Sequence, residues 1–429
     1  MFSNCVVPIK NWTDSVFLSF VLCLFFFAEG DSESDSDKAA EADSDFTLAD
    51  LPNKRRGRVR LSPPSQAQAA ISQQQQRACH ELDVVENMGS ACKLALLAIS
   101  LIALLLLPSN AAAAVTKAID ASRRERLELP ESLVGPESVA FDGHDAGPYV
   151  SVSDGRVLRW GGEGAGWKTF AYSPSYIKND CAAQSELPPV ATESSCGRPL
   201  GLRFDTGSGY LYIADAYMGL MRVGPGGGEA TVLATEAGGA PLRFTNGVDV
   251  DQVTGDVYFT DSSTTYSRAQ HQMVTATGDS TGRVMKYDPR ANQVTVLLSG
   301  VTYPNGIAIS ADRTHLVVAL TGPCKLLKYW IRGPKAGTSE PFADLPGYPD
   351  NVRPDGKGGY WVALHREKNE FPFGVDKHLV AIRLGADGKV LQEMKGPKNV
   401  RPTELVERDG GKIYMGSVEL PYVGIINST

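Results

Sequence analysis

The sequence predicts an all-β protein, a six-bladed β-propeller with four-stranded blades around a central channel. Two observations predict it. From about Leu133 onward, short β-type runs recur at intervals of roughly 45–60 residues, room for several strands per unit. A second segment precedes each run by about ten residues, and these segments align in a single register.

The runs, in order, are YVSVSDG from Tyr149, YLYIADAY from Tyr210, VYFTDSS from Val257, HLVVALTG from His315, YWVALHRE from Tyr360 and KIYMGSVE from Lys412. Each is rich in β-branched and aromatic residues and sits between turn residues. Most lead into a further strand, such as GRVLRW, GLMRV, GRVMKYD or KLLKYWI. The preceding segments are GPESVAFD, GRPLGLRFD, FTNGVDVD, YPNGIAIS, YPDNVRPD and VRPTELVERD. In a propeller they form the innermost strand of each blade, beginning near the axis.

One column falls at the start of those strands: Glu137, Leu200, Asn246, Asn305, Asp350 and Thr403. A closed ring brings equivalent positions around one axis, so Glu137, Asn246, Asn305 and Asp350 can converge. Oxygen donors with two carboxylates suit a hard cation, Ca²⁺ before Mg²⁺. The column has no His or Cys, which disfavours zinc. Asn351 either assists or only shapes the turn. Asn-Gly and Asp-Asn are also good turn formers, and GYPDNVRP taken alone reads as a surface turn. The register carries the metal expectation.

Residues ending the second strands should surround the column: Ser153, Asp154, Asp215, Tyr217, Thr260, Asp261, Thr321, His365, Ser417 and Glu419. His365 is the only histidine in this set and is a candidate base or proton shuttle. Asp215 and Asp261 recur in similar contexts, where a repeated Asp also serves to tie a turn. Glu419 is expected to face solvent.

The chain has 429 residues, 42% hydrophobic and 21% charged, which suits a sizeable core. Its net charge is −7, and no basic stripe follows residue 130, so nucleic acid is not an expected partner. There is no P-loop, H-E-x-x-H or CxxC in the mature region. GPGGGE (Gly224–Glu229) reads as a hairpin loop, because no helix follows it.

The N-terminal region is different. Residues 1–87 contain an apolar stretch (Val16–Ala28) and acidic, basic and glutamine-rich runs too polar to fold, and read as a disordered or spurious extension. Residues 88–114 begin with their own methionine. They carry Lys93, an apolar core over Leu94–Leu107 and small residues beyond, the layout of a secretory signal peptide. The alternative is that Val16–Ala28 is the signal and the second segment an uncleaved anchor, the one case in which a membrane becomes a partner. Residues 115–132 read as a linker and 133–429 as the propeller. Cys181 and Cys196 flank a polar loop that a disulfide can close in an oxidising compartment, worth about 3 kcal/mol by chain entropy.

From Leu133 to Ile426 the chain resembles the strictosidine synthase-like proteins of plants. It is more remotely similar to adipocyte plasma membrane-associated protein and the paraoxonase and gluconolactonase propellers. The resemblance is carried by GPESVAFD, CGRPLGLRFD, LYIADAYMGLMRV, VYFTDSSTTYS, TGRVMKYDP, YPNGIAIS, KYWIRGPKAGTSE, LPGYPDNVRPDGKGGYWVALHR and YMGSV. It implies the six-bladed fold and includes the disulfide before CGRP. Strictosidine synthase itself condenses tryptamine with secologanin, using a glutamate at the start of the last inner strand, two residues after a histidine. The matching segment here is VRPTEL, with Thr403 at the glutamate and Arg401 at the histidine. Glu404 is one residue on, which in a strand turns its side chain to the other face.

The calcium-dependent hydrolase propellers match instead at Glu137, Asn246, Asn305, Asp350 and Asn351. The resemblance therefore implies a Ca²⁺-dependent esterase or lactonase acting on a small-molecule ester or lactone. The alternatives are a Pictet–Spengler condensing enzyme, disfavoured by Thr403, and a non-catalytic binding or defence propeller. The expected compartment is the secretory pathway: vacuole, ER lumen or apoplast.

Overall fold

Burial falls from the inside to the outside of each sheet, and the residues show why. In the third sheet the small and apolar strands Thr245–Val250 and Val257–Asp261 are buried at every position. The outermost strand, Gln293–Val301, interleaves Gln, Thr and Ser with Val and is half exposed. The computed structural model describes residues 117–184, 187–369 and 377–427. The expected extension and signal segment, 1–114, lie outside the described residues.

The sheets form a six-bladed propeller. Blade 1 comprises Val139–Ala140, Tyr149–Ser151, Arg156–Trp160 and Trp167–Tyr172, with Gly228–Glu229 on its outer edge. Blade 2 comprises Pro199–Phe204, Leu211–Asp215, Gly219–Val223 and Thr231–Ala234. Blade 3 adds Gly282–Asp288 between the strands named above. Blade 4 comprises Pro304–Ile309, His315–Leu320, Lys325–Trp330 and Ser339–Asp344. Blade 5 comprises Gly347–Pro354, Tyr360–Glu367, Lys377–Leu384 and Val390–Pro397. Blade 6 draws Glu404–Arg408, Lys412–Gly416 and Tyr422–Asn427 from the C-terminal sequence.

The fourth strand of blade 6 comes from the stretch expected as a linker. Glu125–Glu128 pairs antiparallel with Tyr422–Asn427, Glu125 opposite Ile425. Lys117–Asp120 lies parallel to Val390–Pro397 at the edge of blade 5. The physical reason is the sheet edge: without the N-terminal strand, blade 6 leaves a row of unpaired backbone groups. The short, charged ERLE carries no apolar signal of that role.

Six apolar clusters each join two neighbouring blades. Leu220, Val248 and Phe259, for example, pack blade 2 on blade 3, and Val150 and Val423 close blade 1 on blade 6. Near the axis the inner strands touch through backbone. Asn246–Gly247 and Asn305–Gly306 lie within strands and are not turns. A Cβ at Gly247 would stand 2.5 Å from the Asn305 carbonyl oxygen, and one at Gly306 2.5 Å from Asn351 Cα. Glycine permits that approach. GYPDNVRP is likewise the inner strand Gly347–Pro354.

Hydroxyl groups stitch the blades together. Ser151 Oγ donates to the Leu200 carbonyl at 3.3 Å, Thr260 Oγ1 to Asn305 at 2.6 Å and Thr321 Oγ1 to Pro349 at 2.7 Å. The Asn351 amide donates to the Thr403 carbonyl at 2.9 Å, linking blades 5 and 6.

Candidate metal centre

The inner strands place Glu137, Asn246, Asn305 and Asp350 on blades 1, 3, 4 and 5, at their axial ends. The first three are buried and Asp350 is partly buried. Their hydrogen bonds are one-sided. Asn246 Nδ2 donates to Ser262 Oγ at 3.0 Å, and Asn305 Nδ2 to Thr321 Oγ1 at 3.1 Å. Asn351 Nδ2 donates to Glu137 Oε1 at 3.0 Å. Each amide nitrogen donates within the blades, and the Asn305 side chain also hydrogen-bonds Asp350. Glu137 Oε2 and Asn305 Oδ1 are buried oxygens with no hydrogen-bond partner. Such atoms are rare and call for a donor or a cation.

The electrostatics point the same way. Burial raises the Glu137 carboxyl well above its ordinary value, and the charges of Asp350 and Glu404 raise it further. Asp350 is pushed up to about 7, first by burial; the Asn305 side chain and Arg268 oppose this, and Glu404 reinforces it. Two carboxylates and two amides are the oxygen-donor types that a hard dication takes. Among the described residues no group of three or more His, Cys, Asp or Glu is placed to hold a metal ion; the column has two carboxylates, and its other two oxygen donors are amides. The remaining column positions offer no ligand. Leu200 packs with Ala216, Phe244, Val274 and Tyr303. Thr403 Oγ1 donates to the Glu137 carbonyl at 2.8 Å.

The rim residues divide by role. Asp215 Oδ1 caps the amides of Tyr217 and Met218, both at 2.9 Å. Asp261 accepts from the Phe244 amide at 2.8 Å and pairs with Arg283 at 2.6 Å. Asp154 pairs with Arg156 at 2.7 Å. Ser153 Oγ accepts from the Val134 amide at 3.4 Å, and Ser417 Oγ donates to the Arg401 carbonyl at 2.8 Å. Glu419 is exposed. His365 is partly buried on Tyr360–Glu367, and its carbonyl accepts from Arg401 Nη1 at 3.2 Å.

The structure adds residues that the column does not reveal. Helix α1 (Ser175–Lys178) precedes Cys181, and the Cys181–Cys196 bond closes a loop that holds helix α2 (Pro189–Cys196). From α2, the fully buried Glu193 accepts the Tyr217 hydroxyl at 2.5 Å and pairs with Arg268 at 2.5 Å. Arg268 precedes helix α3 (His271–Thr277) and acts electrostatically on Asp350. His271 lies within the electrostatic reach of Arg268, Glu193 and Glu419, and burial followed by the Arg268 charge lowers its pKa. The buried Arg198 donates through both Nη atoms to the Gly135 carbonyl, and burial lowers it to about 10. Arg198 had one signal, its place in CGRP. Glu193, Arg268 and His271 had none, because they reach the site from insertions that fall outside the repeat.

The fold is a six-bladed propeller that carries acidic and amide side chains at the axial ends of four inner strands. A strictosidine synthase family model matches residues 246–334, and a strictosidine synthase-like N-terminal model matches 122–160. Strictosidine synthase-like 10 of Arabidopsis thaliana is 44% identical over 322 residues, covering 68% of this chain and 84% of that protein. Strictosidine synthase-like 3 of the same plant is 40% identical over 333 residues, 71% and 85% of the two chains. The chain belongs to the strictosidine synthase-like family. In fold it is similar to a gluconolactonase from Xanthomonas campestris, with TM-score 0.52 and 17% identity over 74% of this chain and 92% of that one. The disulfide fits a secreted or lumenal protein. Among the described residues no helix is long and apolar enough to cross a membrane.

Proposed function

We propose that this chain is a calcium-dependent hydrolase of small esters or lactones in the secretory pathway, in the vacuole, ER lumen or apoplast. The observation that supports it most is the pair of buried, unpartnered oxygens, Glu137 Oε2 and Asn305 Oδ1, beside the half-buried Asp350. Glu137, Asn246, Asn305 and Asp350 would hold the ion. Bound calcium supplies a Lewis acid for an acyl oxygen and for the oxyanion that develops on it.

The chain's own residues do the rest. Asn351 fixes Glu137 through Oε1 and leaves Oε2 for the site. The cluster containing Leu200, Phe244 and Tyr303 excludes water on the side of blades 2 to 4. Proton uptake falls to a histidine: His365 on blade 5, or His271 at the start of helix α3. A condensing reaction finds no free base at the last inner strand. The Thr403 hydroxyl is committed to the Glu137 carbonyl, and Glu404 is buried in an ion pair with Arg353.

The test is metal content of the purified protein together with hydrolysis of phenyl acetate and a δ-lactone, with and without EGTA. One calcium per chain and turnover that EGTA abolishes and calcium restores are expected. Stoichiometric calcium without turnover leaves a binding or defence propeller. His271→Asn and His365→Asn identify the base by which of them lowers kcat.

A further inference from the structure

Below the axial donors, the channel is crossed by one buried ion pair, Arg353 with Glu404. Arg353 Nε and Nη2 both donate to the Glu404 carboxylate, the second at 3.1 Å. Glu404 Oε2 also accepts from Ser138 Oγ at 2.5 Å and from the Val139 amide at 3.3 Å. Arg353 donates further to the carbonyls of Val248 at 3.1 Å and Leu202 at 3.3 Å, and to Ser138 Oγ at 3.2 Å. Two side chains therefore bind the inner strands of blades 1, 2, 3, 5 and 6 at once.

The contacts fall beside the donors of the site. Ser138 follows Glu137, Val248 lies two residues after Asn246, and Arg353 lies three after Asp350 on one strand. A one-residue slip of any of these strands would turn its donor away from the axis. Burying two full charges is costly, and apolar residues of similar size often serve stability as well or better. The pair therefore calls for an explanation other than stability.

We propose that Arg353 and Glu404 form a positioning pair for the cation site: they lock the register of the strands that carry Glu137, Asn246 and Asp350. The inference rests on the calcium reading of the site.

The test uses calcium binding measured calorimetrically on the full chain, with melting followed in EGTA. The variant is the double change Arg353→Met with Glu404→Met, which leaves no unpaired charge. It is expected to melt cooperatively in EGTA yet bind calcium about 10–100-fold more weakly, the usual scale for a supporting shell. A folded double variant that binds calcium as the parent does overturns the proposal. If the double variant fails to fold, Ser138→Ala serves instead. It removes one link from each partner and keeps the pair, and unchanged calcium affinity there overturns the proposal equally. Parent protein that takes up no calcium sinks the cation reading itself, and this inference with it, whereas calcium bound normally by parent and variant sinks only the inference.

Discussion

Asn351 Nδ2 and Glu137 Oε1 are 3.0 Å apart, joining blades 5 and 1 across the axis. Asp350 and Asn351 are neighbours in sequence, and the calcium reading gives them different tasks: Asp350 would offer a carboxylate to the ion, and Asn351 would orient that of Glu137. Asp350→Asn should therefore remove calcium binding nearly completely. Asn351→Ala should weaken it by about 10–100-fold while retaining a stoichiometric site. Calorimetry on both variants checks this, and equal losses would contradict the division of roles.

Proton competition follows from Asp350. Its carboxyl is raised from 3.8 to about 7 in the metal-free protein. The folded state then holds a proton that the unfolded state has released, so this group's contribution to metal-free stability is greatest below its unfolded value. That contribution is lost as pH rises through about 7. Calcium binding needs the ionised form and releases the proton. The melting-temperature shift produced by calcium should grow from pH 5 to pH 7.5 and then level off. A shift independent of pH over that range would count against Asp350 as a ligand.

What the sequence discloses here is what repeats. The inner-strand column is legible because six copies of one local pattern can be laid in register, and the register makes Glu137, Asn246, Asn305 and Asp350 equivalent without any three-dimensional information. Glu125–Glu128 is not legible, because its reason for being a strand is the open edge of blade 6, some 300 residues away. Glu193 and Arg268 are hidden for a related reason: each sits in an insertion with no counterpart in the other blades, and their meeting depends on how two loops fold over the channel. Glu404 is half legible. Its one-residue offset from the column is visible, but its partner Arg353 is apparent only when the strands are packed.

Thr403 gives a third prediction. Its hydroxyl is buried and links blade 6 to the Glu137 carbonyl at 2.8 Å. Thr403→Glu would break that link and bring a third carboxylate close to Glu137 and Glu404. The variant should lose about 2–4 kcal/mol of stability, the range for an unpaired buried charge or a broken buried network. It should not condense tryptamine with an aldehyde. Denaturant melts and product analysis test both halves; an undisturbed, condensing variant would show that the position is catalytic in waiting.

The last prediction concerns the disulfide insert. Glu193 lies three residues before Cys196, wholly buried, with one oxygen on Tyr217 and the other on Arg268. Replacing Cys181 and Cys196 by Ser should cost about 3 kcal/mol through the freed loop. Because the same loop carries Glu193, this loss and that of Glu193→Gln should be non-additive by at least about 0.5 kcal/mol in a double-mutant cycle. Arg268 adds a test of sign. Its positive charge opposes a cation near Asp350, so the double change Glu193→Gln with Arg268→Met, which leaves no unpaired charge, should bind calcium more tightly than the parent. The Arg353–Glu404 replacement should do the reverse. If both double variants shift calcium affinity in the same direction, the changes reflect general loosening of the propeller and not the separate roles assigned here.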